Sequence, residues 1–129
     1  MTAKKIYESA LAILGETREN EAELDYRERA PYLIATFCCN AASVDRDFRE
    51  SHRLGAQGKF SEIYVSLDDP FPLCKRFTDS AAFYLASMLI SDTDEDFSER
   101  LFEKYCDSLS RAVSEIPFSK GKTKNAYGQ

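Results

Sequence analysis

The chain has 129 residues, of which 43% are hydrophobic and 12% aromatic, and its formal charge is −5. This length fits one domain with a proper core, which excludes low-complexity disorder for most of the chain. Residues 119–129 carry three lysines and no acid, so residues 1–118 carry a net charge of −8. An acidic domain of this kind argues against a protein that wraps nucleic acid and favours one that docks on other proteins.

The sequence predicts neither a membrane span nor a metal centre. No run of about 20 apolar residues occurs, and Glu8 interrupts the apolar stretch that follows Lys4 and Lys5, so a secretory signal is not expected. His52 is the only histidine, and no CxxC pair is present. We therefore expect no zinc site, no cofactor and free thiols in a reducing cytoplasm. The cysteines are Cys38, Cys39, Cys74 and Cys106.

Two amphipathic helices are predicted in the first 50 residues. In "TAKKIYESALAILG" apolar residues recur at helical spacing from Ile6 to Leu14, Thr2 stands at the cap position and Gly15 at the stop. The polar stretch "ETREN" is predicted to be a loop. The second helix is predicted over "YRERAPYLIATFCCNAASVDRDFRE". Pro31 either starts or kinks this helix, because proline lacks the backbone donor.

A loop and an extended segment are predicted next. "HRLGAQGKF" contains two glycines and is predicted to be an exposed loop. In "SEIYVSL", Ile63, Val65 and Leu67 alternate with Glu62, Tyr64 and Ser66, which is typical of a short half-buried strand or an extended arm.

Two further helices complete the domain. "PLCKRFTDSAAFYLASMLIS" is apolar on nearly all sides in its middle, which indicates the central helix. The fourth helix is predicted to end at about Ile116, with four-residue spacing favouring the ion pairs Asp96–Arg100 and Asp107–Arg111. Its predicted apolar stripe consists of Phe97, Leu101, Tyr105, Leu109 and Val113, widened by Phe102 and Cys106.

The start of the fourth helix also has the acidic skeleton of a calcium-binding loop. In "DTDEDFSERLFE" (92–103), acids occupy the first, third, fifth and twelfth places, but the sixth place, which needs glycine, holds Phe97. If Phe97 is helical, Glu103 lies two turns further along and cannot close a cage. A helix start capped by Asp92 or Thr93 explains the acids more simply. A calcium-responsive module is the alternative.

No group of residues indicates catalysis, and we expect no enzymatic activity. "GAQGKF" lacks the full phosphate-loop pattern, and His52 is expected to be a solvated loop residue without a catalytic partner in a local motif. Cys38 and Cys39 are expected to fill the core. The tyrosines expected to pack in the core rather than to stack on a substrate are Tyr7, Tyr26, Tyr84 and Tyr105.

Together these elements predict a mainly α fold. The expected architecture is a small bundle of about four helices with one short extended segment and a polar C-terminal tail. Residues 1–118 are expected to form the helical domain and residues 119–129 the basic tail.

The order of several segments resembles a known family. They are "ALAILGE" (10–16), "YRERAPYLI" (26–34), "VSLDDPFPL" (65–73), "AAFYLASMLISDTDEDFSERLFEKY" (81–105) and "AYG" (126–128). They resemble the small helical head–tail connector, or adaptor, proteins of tailed bacteriophages and prophages. The resemblance covers most of the chain, and none of its pieces is a catalytic signature.

This resemblance implies a structural protein of the virion neck, made in the host cytoplasm. Such proteins form a homo-oligomeric ring below the portal protein, extend the channel for double-stranded DNA and dock the next neck or tail component. A channel lined by negative charge would let DNA slide without sequence-specific binding. The implied partner-binding residues are Ile63, Tyr64 and Val65 of the extended segment and Lys120, Lys122, Lys124 and Tyr127 of the tail.

An alternative function remains open from the sequence. A small cytoplasmic helical adaptor or regulatory protein could bind a single protein partner through a helical groove. That protein would form a one-to-one complex, whereas a connector would form a ring.

Overall fold

The computed structural model describes residues 1–15 and 22–117. Its helices are α1 (Ala3–Leu14), α2 (Ala22–Ser51), α3 (Thr78–Ile90) and α4 (Glu95–Ser114), with a 3-10 turn at Lys75–Phe77. The predicted mainly α bundle of about four helices is therefore confirmed. The predicted "ETREN" loop and the C-terminal tail lie outside the described residues.

Helix α3 is the centre of the bundle, as predicted. It packs against α1, α2 and α4, and it is buried on nearly every side, with both Leu85 and Ala86 fully inaccessible. Its predicted start is wrong, however, because Cys74 has an extended backbone and the helix begins only at Thr78, after the 3-10 turn. The backbone N–H of Cys74 donates to the Asp45 carboxylate at 2.7 Å, and this bond holds the segment away from a helical path.

The two ends of α1 are stabilised in different ways. Gly15 ends the helix in the left-handed conformation, with φ of 72°, as the sequence predicted. Thr2 occupies the N-cap position, but its side chain makes no capping hydrogen bond. Instead, the N–H groups of Ala3 and Lys4 donate at 2.9 Å to backbone carbonyls of residues 67–69. A distant segment of backbone therefore accepts the hydrogen bonds of the N–H groups at the start of this helix.

Helix α2 continues through Pro31 rather than starting there. Tyr26, Ala30 and Ile34, on either side of the proline, are all buried. Packing on the core therefore stabilises a turn that lacks one backbone hydrogen bond. The Pro31 carbonyl in addition accepts a hydrogen bond at 3.0 Å from the N–H of Val65, which fixes the incoming extended segment on α2.

Two pairs of serines form hydrogen bonds across the contact between α3 and α4. The hydroxyls of Ser80 and Ser108 lie 2.7 Å apart. Ser87 and Ser98 each donate to the other's backbone carbonyl at 2.8 Å. Because each buried hydroxyl has a partner, the two helices approach closely without the cost of an unsatisfied polar group.

The buried face of α4 therefore differs from the predicted stripe. Leu101 and Tyr105 are buried as predicted, but the remainder of the buried face is small and partly polar. Phe102 and Val113 are instead about two-fifths exposed, at 41% and 40%, and Cys106 is also exposed. The prediction is wrong for these three residues because the paired serines take the inward positions.

Asp45 is a fully buried carboxylate that connects α2 to the loop following it. It accepts hydrogen bonds from Arg49 Nε at 2.8 Å, Gln57 Nε2 at 2.8 Å and the Cys74 N–H at 2.7 Å. Arg49 also donates at 2.9 Å to the carbonyl of Gly55. The loop "HRLGAQGKF", although largely exposed as predicted, is thus anchored to the core by one buried acid.

Candidate interaction surfaces

The extended segment and the neighbouring side of α2 present an exposed apolar surface. We call it the arm surface and define it as Tyr32 of α2 with Ile63 and Tyr64 of the extended segment. Their exposed fractions are 53%, 71% and 46%. The rings of Tyr32 and Tyr64 meet edge to face, with centroids 5.0 Å apart. The ring contact holds the arm against α2, so the arm surface has a defined shape.

Local hydrogen bonds explain why Ile63 points outward. The Ser61 hydroxyl accepts from the N–H of Ile63 at 3.1 Å, which forms a tight turn. Beyond this turn, Val65 is buried, at 3% exposed, and Leu67 is half-buried. The predicted inward alternation is therefore correct for Val65 and wrong for Ile63, and the described residues of this segment form no regular strand.

The predicted partner-binding residues separate into three groups. Ile63 and Tyr64 lie on the arm surface. Val65 packs into the core of its own chain, so it offers no side-chain surface to a partner. The other four, Lys120, Lys122, Lys124 and Tyr127, lie outside the described residues.

A second apolar surface runs along the outer side of α4. We call it the α4 stripe and define it as Phe102, Cys106, Leu109 and Val113. Cys106, Leu109 and Val113 line a shallow groove of about 340 Å³. Phe102 borders a further groove of about 400 Å³ between α3 and α4, next to the half-buried Met88.

The arm surface and the α4 stripe face different directions. Phe37 of α2 points toward α4, because its ring centroid lies 6.0 Å from that of Tyr105. Tyr32 precedes Phe37 by five residues, which places it about 140° further around the α2 axis. The arm surface is therefore on a side of the molecule turned away from α4.

An acidic row borders the α4 stripe on its solvent side. The row consists of Glu99, Glu103 and Asp107, all exposed. None of the three makes an ion pair within residues 1–15 and 22–117. The predicted Asp96–Arg100 and Asp107–Arg111 pairs do not form either. Arg100 lies instead over the ring of Phe97, 5.6 Å from its centroid.

The acids at the start of α4 belong to a helix cap. Asp94 is the N-cap residue, and its carboxylate accepts the N–H of Phe97 at 3.0 Å. The predicted cap at Asp92 or Thr93 is therefore wrong by one or two residues. Phe97 and Glu103 both lie inside the helix, and the described part of the chain holds no cluster of three potential metal ligands.

The cysteines and the histidine occupy unlike environments. Burial, with charge from Cys39 and Asp45, raises the pKa of the Cys38 thiol to about 12, so this thiol stays protonated. Cys39 is exposed, which contradicts its predicted core position. His52 is exposed as predicted, and its ring stacks on that of Phe48 with centroids 4.0 Å apart.

The prediction that four tyrosines pack in the core is confirmed. Tyr7, Tyr26, Tyr84 and Tyr105 are all buried.

Comparisons of the chain with protein-family models, curated proteins and solved structures found no match. Within the described residues, no helix combines the length and the apolar character that crossing a bilayer requires.

Proposed function

We propose that this chain is a structural protein of the virion neck, a head–tail connector that forms a ring below the portal protein of a tailed phage or prophage. The proposal is supported by the order of the segments that resemble this family and by the mainly α bundle that the described residues form. Among the structural observations, the arm surface supports the proposal most strongly. Ile63 is 71% exposed beside two half-exposed tyrosines, in the segment that the resemblance assigns to subunit contacts.

A ring of identical copies needs two different contact surfaces on each copy. Such head-to-tail contacts close into a ring when the rotation between neighbours divides a full turn. The arm surface and the outer side of α4 face different directions, so one copy can contact two neighbours without using the same residues twice. Exposed aromatic and aliphatic residues are the usual anchors of such contacts.

The charge of the body suits passage of DNA through the ring. Residues 1–118 carry −8, and a negatively charged wall repels phosphate at close range. DNA would then pass without being held, because strong DNA binding depends on cations that neutralise phosphates. The ring therefore acts as a conduit and a docking platform in this proposal, with neck and tail proteins as its further partners.

Substituting one arm residue tests the proposal. Ile63→Asp is expected to weaken association with the portal of the encoding phage at least about tenfold, since an aspartate buried in an apolar contact costs more than 1.4 kcal/mol. The measurement is co-sedimentation of the purified chain with assembled portal. Leu24→Asp is the matched control, because Leu24 is similarly exposed, at 67%, but lies outside the arm surface.

The control fixes how the result is interpreted. The proposal requires that Leu24→Asp co-sediments as the unchanged chain does and that both variants keep the helical circular dichroism signal. If the unchanged chain does not co-sediment with portal, or if both variants do so equally well, the arm surface has no role in a neck.

A further inference from the structure

We propose that the arm surface of one copy of this chain docks on the α4 stripe of a second copy, with Ile63 inserted into the groove beside Cys106, Leu109 and Val113. This inference rests on the proposed ring and names the two surfaces that join its neighbouring subunits. The contact is head-to-tail, because each copy uses its arm surface on one neighbour and its α4 stripe on the other.

The two surfaces have complementary shapes. Ile63 has the largest exposed fraction, 71%, among the large apolar side chains of the described residues, and it projects from the turn closed by the Ser61 hydroxyl. The α4 stripe is concave, since Cys106, Leu109 and Val113 line a groove of about 340 Å³. A projecting apolar side chain and an apolar recess of this kind are what an interface anchor and its pocket consist of.

The charges beside the two surfaces are complementary as well. Arg46 donates to the side chain of Gln57 at 3.4 Å, and Lys59 follows two residues later, so two exposed cations lie at one end of the arm surface. Neither forms an ion pair within residues 1–15 and 22–117. With Glu62, which lies between Lys59 and Ile63, this end carries +1, whereas the acidic row carries −3. Opposite charges at the two surfaces favour their encounter and orient it.

The positions of these charges agree with the placement of Ile63. Along the α4 axis, Leu109 lies about 9 Å from Glu103 and about 15 Å from Glu99. The four residues from Lys59 to Ile63 span at most about 14 Å. With Ile63 at Leu109 and residue 59 toward the start of α4, Lys59 therefore comes within reach of Glu103.

Charge also disfavours the pairing of two α4 stripes. The acidic row borders the stripe on one side. In an antiparallel two-fold contact between two α4 helices, the row of one copy would lie against the row of the other, because the symmetry axis keeps both rows on the same side. Like charges brought together in this way oppose association. The arm surface, which brings cations, is therefore the occupant that the acidic row favours.

The two exposed cysteines lie on opposite sides of the proposed contact and allow a direct test. The thiol of Cys39 is 3.6 Å from the carbonyl oxygen of Glu62, next to Ile63, and Cys106 lines the groove. Cys106→Ser leaves Cys39 as the exposed thiol, and Cys39→Ser leaves Cys106. The two variants, mixed at high protein concentration with a short bis-maleimide, are expected to give a dimer cross-linked from Cys39 to Cys106, identified by peptide mass mapping. Each variant alone should give at least about fivefold less dimer, since a head-to-tail contact keeps like surfaces apart.

An exchange of charges provides a second measurement. Glu99→Lys with Glu103→Lys, in the copy that retains Cys106, should lower the yield of the mixed dimer at least about fivefold. Arg46→Glu with Lys59→Glu in the other copy should lower it similarly. When both altered copies are mixed, at least about half of the original yield should return, because opposite charges face each other again. A variant that merely misfolds would not show this recovery.

Three results would overturn the proposal: no mixed dimer, as much dimer from one variant alone as from the mixture, or no recovery after the exchange of charges. Co-sedimentation with portal is a separate readout. Portal binding without the mixed dimer would refute this contact and leave the connector, whereas a mixed dimer without portal binding would contradict the connector but not this contact.

Discussion

Asp45→Ala is expected to lower the free energy of unfolding by about 3–5 kcal/mol, because it removes one partner of a buried ion pair. Asp45 is fully buried and accepts hydrogen bonds from Arg49, from Gln57 and from the backbone of Cys74. Without the carboxylate, the guanidinium of Arg49, whose side chain is only 17% exposed, keeps a charge with no anion beside it. The Cys74 N–H also loses its acceptor, and the loop after α2 loses its anchor.

Helix α2 contains a matched control for this substitution. Asp25 and Arg29 form the same four-apart pair, at 3.2 Å, but their side chains are 61% and 34% exposed. Asp25→Ala should cost about 0.5 kcal/mol or less, because water screens the pair and solvates the groups left behind. Urea unfolding monitored by circular dichroism measures both variants. If both variants lost the same free energy of unfolding, burial of the Asp45 ion pair would contribute nothing to stability.

Phe37→Ala is expected to destabilise the fold by about 3–5 kcal/mol, through the loss of buried area and the cavity that remains. Phe37 is completely inaccessible. Its ring lies 6.0 to 6.3 Å from those of Phe71, Tyr84 and Tyr105, centroid to centroid. It therefore joins α2 to α3, to α4 and to the segment that precedes the 3-10 turn.

The same chemical change at an exposed position provides the comparison. Phe102 also touches Tyr105, with ring centroids 5.2 Å apart, but it is 41% exposed. Phe102→Ala should cost about 1 kcal/mol or less, since little apolar surface returns to water and no closed cavity forms. If Phe102→Ala were as costly as Phe37→Ala, the assignment of α4's buried face would be wrong.

The helices could be predicted because apolar residues recur with the helical period along most of the chain. The central position of α3 followed from its apolar character on all sides, and the end of α1 from Gly15. The inner face of α4 could not be predicted in the same way. Ser98 and Ser108 count as polar in any periodicity analysis, and they are buried only because each has a hydrogen-bond partner on α3.

Contacts between distant residues account for the other differences. The late start of α3 depends on a bond between Asp45 and Cys74, which are 29 residues apart. The start of α1 depends on the backbone of residues 67–69. Neither contact leaves a local pattern. The orientation of Ile63 could not be predicted either. The alternation in "SEIYVSL" predicts an inward side chain, but the turn closed by the Ser61 hydroxyl points it outward.

The candidate surfaces could be predicted only in part. The sequence identified Ile63 and Tyr64, but Tyr32 joins them because α2 passes beside the arm, which no spacing along the chain reveals. The α4 stripe was predicted as core. Phe102, Cys106 and Val113 lie at the surface because the serines take the inward positions, whereas Leu109 is half-buried against the core. Of the acidic row, Glu103 was identified in the sequence as the twelfth place of a calcium-loop pattern and Asp107 as half of a predicted ion pair, whereas Glu99 belonged to neither.

Electron microscopy of the chain mixed with the portal of its encoding phage tests the central claim most directly. We expect portal particles to gain a layer of density on the tail side, with rotational symmetry and one helical bundle in each repeat. Portal particles without added density, or a one-to-one complex of this chain with some other protein, would contradict a connector and support the single-partner adaptor instead.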